Sequence, residues 1–95
     1  MKLHVIDIGW GISRQPGVGR VENEVENRCF EDLTVGPLPP IGPLKHVFVI
    51  EEVGEDFIVI ALSEKAGKKT LKVGEAYEHH PLSMDGGHYY RLELE

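Results

Sequence analysis

His46-Val47-Phe48-Val49-Ile50-Glu51-Glu52 and Asp56-Phe57-Ile58-Val59-Ile60-Ala61-Leu62 decide the fold class of this chain. Both runs are rich in β-branched and aromatic side chains, which lose rotamer freedom in a helix and suit a pleated, half-buried surface. Val53-Gly54-Glu55 between them is turn chemistry, so the pair reads as an antiparallel hairpin. Towards the C-terminus, Ala66-Gly67 marks a second turn and Thr70 to Val73 a third strand. His88 to Glu95 alternates, with Tyr90, Leu92 and Leu94 on one face and Tyr89, Arg91, Glu93 and Glu95 on the other. Strands 46–52, 56–62, 70–73 and 88–95 are expected to form a meander, with 74–87 a long excursion or an extra hairpin strand.

Before the hairpin, Val35 to Leu44 holds four prolines and two glycines, which exclude a helix and a central strand. Leu38, Ile41 and Leu44 favour a loop packed over the core above a solvated polyproline ligand. Residues 20–33 fit two patterns. A helix would align Val21, Val25, Cys29 and Leu33 and pair Glu24 with Arg28. Asn23 and Asn27 weaken that helix and no side-chain N-cap precedes Arg20, so a strand is favoured. Residues 9–19, with Gly9, Gly11, Pro16, Gly17 and Gly19, are expected to form a loop. Lys2 to Ile8 is a strand with apolar groups on both faces, as for a strand covered twice or lying near an interface.

The expected fold is therefore all-β: one domain over 1–95, a small antiparallel sandwich or partly open barrel of about six or seven strands. An α+β fold with one helix at 20–33 is the alternative. A chain of 95 residues buries only ~60–65% of its unfolded surface. Such a chain has little room for a deep cavity, and association with another copy would cover leftover apolar surface.

Sixteen acidic against ten basic residues give a net charge of −6, unfavourable for nucleic acid, whose binding rests on Lys and Arg neutralising phosphates. The one basic run, Lys65, Lys68, Lys69 and Lys72, reads as a solvated turn. A single cysteine, Cys29, allows no intramolecular disulfide. The N-terminus shows no signal-peptide pattern, and the longest apolar stretch, Phe57 to Leu62, falls far short of a membrane span. Together these readings place the chain in the cytoplasm, away from membranes.

Four groups of residues invite a chemical reading. His79, His80, His88 and Asp85 are metal-ligand types within a short segment. Asp85-Gly86-Gly87, however, reads as a tight hairpin turn that would set His80 opposite Glu93 or Arg91. His80 and His88 would then stand more than ~15 Å apart at ~3.3 Å per residue. Gly9-Trp10-Gly11 and Gly17-Val18-Gly19 resemble phosphate loops only in glycine content, because the strand–loop–helix context and the spacing are missing. Cys29 follows Arg28 but has no evident oriented histidine, and a buried structural thiol is the expectation. Trp10, Tyr89 and Arg91 form the candidate ligand or interface set, with Tyr89 facing outward beside Arg91 and Trp10 either an interface anchor or a plug closing the core.

No catalytic set emerges. The reading is a non-catalytic binding or assembly module, a homo-oligomer joined through strand edges or an apolar sheet face, with no cofactor. A β-domain binding a divalent metal or small ligand through the C-terminal histidines is the first alternative. A small enzyme with a Cys or His reactive group is the second.

Overall fold

The computed structural model describes residues 1–63, 67–81 and 86–95. Eight strands follow one another: β1 (Leu3–Ile12), β2 (Arg20–Phe30), β3 (Gly36–Pro37), β4 (Val49–Val53), β5 (Phe57–Ser63), β6 (Gly67–Lys72), β7 (Ala76–His79) and β8 (Gly86–Leu94). There is no helix among the described residues, and none long and apolar enough to cross a membrane. Two antiparallel four-stranded sheets result, β2-β1-β8-β7 (sheet A) and β3-β4-β5-β6 (sheet B). The all-β sandwich read from the sequence is the fold.

Residues 20–33 resolve in favour of the strand, since β2 pairs along β1 from Leu3↔Phe30 to Ile12↔Arg20. Its ladder slips once, where Asp7 faces Glu26 but Ile8 faces Glu24, leaving Val25 as the extra residue of a bulge. The prolines keep to the margin as expected: Pro37 sits in two-residue β3, beside Val49 on the edge of sheet B. Ile41 is buried and Leu38 packs against the core, whereas Leu44 is exposed.

Four expectations need correction. Gly9-Trp10-Gly11 is strand, not loop; β1 runs through it to Ile12, because the flanking β2 and β8 satisfy its backbone on both sides. The last strand is not part of the meander. Only β4-β5-β6 form one, and β8 pairs instead with β1 and β7 in the other sheet. Residues 76–79 are the extra hairpin strand, and β6 begins at Gly67, three residues before Thr70. The β7–β8 hairpin also has another register, with Ala76↔Glu93 and His79↔Tyr90. Gly86 and Gly87 therefore lie in β8 opposite Gly11 and Trp10 and are not the turn. Their extended partner strand outweighs the local turn preference of a Gly-Gly pair.

The main core lies between the sheets. Leu3 and Val5 from β1, with Tyr90, Leu92 and Leu94 from β8, meet Phe48, Ile58, Ile60, Leu62 and Leu71 from the sheet B side. A smaller cluster, Ile6, Ile8 and Tyr89 with Trp10 against them, covers the outer face of sheet A. The apolar positions on both faces of Lys2 to Ile8 are thus explained by cover on both sides.

Candidate functional site

Strand alternation carries one row of polar side chains into the interior. Asp7 lies on the same face as Leu3 and Val5, and its cross-strand partner is Tyr90, which in turn faces His79. Asp7 and Tyr90 are fully buried and His79 nearly so. Asp7 Oδ2, the Tyr90 hydroxyl and His79 Nε2 have no hydrogen-bond partner among the described residues. His46 stacks on Tyr90 at 4.8 Å between ring centroids and donates from Nε2 to the Leu62 carbonyl at 2.8 Å. Burial, reinforced by the Asp7 carboxylate, pushes the Tyr90 hydroxyl up to about 12. Burial also holds His79 below the ordinary histidine value, with His46 and His80 adding to the effect.

Asp7 Oδ1 accepts a hydrogen bond from His88 Nδ1 at 2.7 Å. A carboxylate can only accept, so Nδ1 carries the proton, and in the Nδ1–H tautomer Nε2 presents a lone pair. His88 lines an opening of about 600 Å³ whose walls include Gly9, Gly11, Val21, Asn23 and Val25. This opening exists because the far ends of β1, β2 and β8 run on past the main core, and no sheet B residue lines it. Val21 and Val25 are consequently exposed, and nothing lies within 4 Å of where a Cβ on Gly11 would stand.

On the opposite face of sheet A, the three residues singled out as a ligand or interface set lie close together. The Tyr89 hydroxyl donates to Glu22 Oε2 at 3.0 Å; burial, reinforced by this bond, raises its pKa. His80 stacks on the Tyr89 ring at 4.5 Å, and Arg20 lies 4.5 Å above the Trp10 ring. Trp10 packs against Ile6, Ile8 and Tyr89, away from the ends of the main core. Tyr89 points away from the sandwich but is only 3% exposed, covered by these neighbours. Arg91 borders a shallow recess of about 280 Å³ with Ile6, Ile8, Glu22 and Glu24.

The histidine segment is divided. His79 is inside, His80 outside and exposed, and His88 is inside beside Asp7; Asp85 lies outside the described residues. Because the hairpin register differs from expectation, His80 packs on Tyr89, next in sequence to His88, and does not stand at the far end of the hairpin. No group of three His, Cys, Asp or Glu side chains placed to hold a metal occurs among the described residues. Cys29 is exposed on β2, an edge strand, and is not the buried thiol expected. Of the basic run, Lys68 pairs with Glu51 and Lys69 lies over the Tyr77 ring, and Lys65 is outside the described residues.

No family model, curated protein or solved structure matches this chain.

Sequence reasoning missed Asp7 as a site residue. The signal was present: alternation from Leu3 and Val5 puts an acidic side chain inward at position 7, and alternation from Tyr90 puts His88 on the same inner face.

Proposed function

We propose that this chain is a non-catalytic assembly module that self-associates through the outer face of sheet B. The observation that carries the reading is the arrangement of that face. Its middle strand, β5, turns Phe57, Val59 and Ala61 outward, all half-buried, while Ile58, Ile60 and Leu62 fill the core. On one side stand Val47, Val49, Glu51 and Glu52. On the other are Lys68, Thr70 and Lys72, paired with Ala61, Val59 and Phe57. An apolar stripe thus runs between Glu51 and Glu52 on one side and Lys68 and Lys72 on the other; Lys68 pairs with Glu51 across Ala61, which leaves Glu52 and Lys72 to meet a second copy.

A two-fold axis lying in the interface parallel to β5 brings each copy's Glu52 towards the other's Lys72 and stripe over stripe. Self-complementarity of this kind is what an isologous dimer requires. It also lets a chain of net charge −6 meet its own copy without like charges opposed. Three strands ~4.8 Å apart and ~3.4 Å per residue over the seven residues of β5 outline roughly 350 Å². That is under half of the ~800 Å² each partner buries in a standard interface. The association is therefore weak and reversible.

Light-scattering mass across a concentration series tests the proposal. The mass should rise from one chain to two, and Val59→Lys should hold it at one. Glu52→Lys and Lys72→Glu should each weaken the dimer and together restore it. A single-chain mass at millimolar concentration, or charge reversals that fail to compensate, would overturn the reading.

A further inference from the structure

We infer that the opening beside His88 is a binding site for a small, uncharged, ring-bearing molecule with one hydroxyl donor, a phenol-type ligand. It lies on sheet A, away from the proposed dimer face, and does not depend on it. Ligand sites are mostly apolar with a few placed polar groups, within ~300–1,000 Å³. At about 600 Å³, lined by Gly9, Gly11, Val21 and Val25 with His88, Asn23 and Ser13 as its polar members, this opening fits that description.

Each attribute of the ligand follows from a group in the lining. Gly11 gives a floor with no atom of the described residues within 4 Å of its Cβ position, Val25 and His88 close over Gly9, and Val21 and Val25 on the adjacent strand give an apolar wall, so a flat ring has room over Gly11. Among the described residues no Asp, Glu, Lys or Arg side chain lines the opening, so they offer a charged ligand no counter-charge. The one oriented polar group is His88. Fully buried Asp7 fixes its ring and tautomer through the 2.7 Å bond at Nδ1, leaving Nε2 to accept. Among the described residues Nε2 has no partner, so the complementary group on a ligand is an O–H donor.

Titration of the isotope-labelled full chain with 4-methylphenol, followed by NMR, tests the assignment, with 4-methylanisole as the ring of similar shape that lacks the donor. Saturable shifts are expected at the Gly11 amide and at His88 Nε2, with the anisole binding about tenfold more weakly for want of one hydrogen bond. Gly11→Val should abolish the shifts while the fold is retained, since its Cβ enters open space and its φ is not positive. Equal binding of the two probes, absence of saturable shifts, or shifts unaltered by Gly11→Val would overturn the proposal. So would a ring spectrum in which Nδ1 is the unprotonated nitrogen.

Discussion

Gly42→Ala is the substitution whose cost the structure specifies most closely. Gly42 has φ of 73°, in the left-handed region, where an L side chain costs about 1–2 kcal/mol. A Cβ there would also stand 2.9 Å from Asp7 Cγ and overlap Oδ2. Backbone on one side and the core on the other leave the carboxylate one escape, which is to turn and break its bond to His88. A hydrogen bond to a charged group is worth about 1.5–3 kcal/mol. The sum, about 2.5–5 kcal/mol, is a large part of the ~5–15 kcal/mol that stabilises a typical domain. It corresponds to a fall in Tm on the order of 15–30 °C. Urea unfolding followed by circular dichroism gives the loss directly. The same substitution in an Asp7→Ala background should cost only the backbone part, leaving a coupling of about 1.5–3 kcal/mol between the two positions. A loss below about 1.5 kcal/mol, or an equal loss in both backgrounds, would refute the claim that Gly42 is held open for Asp7.

Stability should decline at both ends of the pH scale. Tyr90 has a folded pKa raised to about 12, so its contribution is complete below 10 and is lost as pH rises from 10 to 12, by roughly 2–3 kcal/mol. Tyr90→Phe should flatten most of that limb; Tyr89, raised in the same direction, accounts for a remainder. His79 has a lowered pKa, so the unfolded chain takes up its proton first and stability falls as pH drops below 6.5, a limb that His79→Gln should remove. Cys29 is exposed, so a thiol reagent should label it fully in the native protein without denaturant. Protection until unfolding would contradict its place on the edge strand.

The legible parts of the sequence were those where local chemistry and tertiary demand agree. The 46–62 hairpin and the alternation of 88–95 combine period-two patterning with a burial requirement, and both are present, although the first hairpin strand is Val49–Val53 and not 46–52. Asn23 and Asn27 argued against a helix at 20–33, and β2 is a strand. The illegible parts are those where a distant partner overrides local preference. Glycine content alone made 9–19 a loop, but β8 reaches Gly9 and Gly11 and draws them into a ladder. The same pairing pulled Gly86 and Gly87 out of the turn that their sequence suggests. Strand pairing across 81 residues brought Asp7 to His88, and no spacing rule on one sequence could join them. Trp10, Tyr89 and Arg91 share one face of adjacent strands, a placement that reading 9–19 as a loop could not give for Trp10.

The energetics of Asp7 bear on why the site exists. A buried carboxylate with one hydrogen-bond partner and one orphaned oxygen is expensive, several kcal/mol worse than a packed aliphatic side chain. Leucine at position 7 would extend the stripe of Leu3 and Val5 without burying a charge. The fold instead accommodates the charge twice: Gly42 makes room for Oδ2, and His88 satisfies Oδ1. Neither accommodation strengthens the core. What Asp7 does accomplish is to lock one imidazole, at 20% side-chain exposure, with its accepting nitrogen unengaged at the edge of an uncovered apolar surface. Local rules broken without structural gain are expected where a protein binds something. Sheet B shows no comparable expense: its outer face is ordered only by charge and shape. The dimer face and the His88 opening thus rest on separate sheets and separate physics, and Val59→Lys and Gly11→Val should each abolish one interaction and leave the other intact.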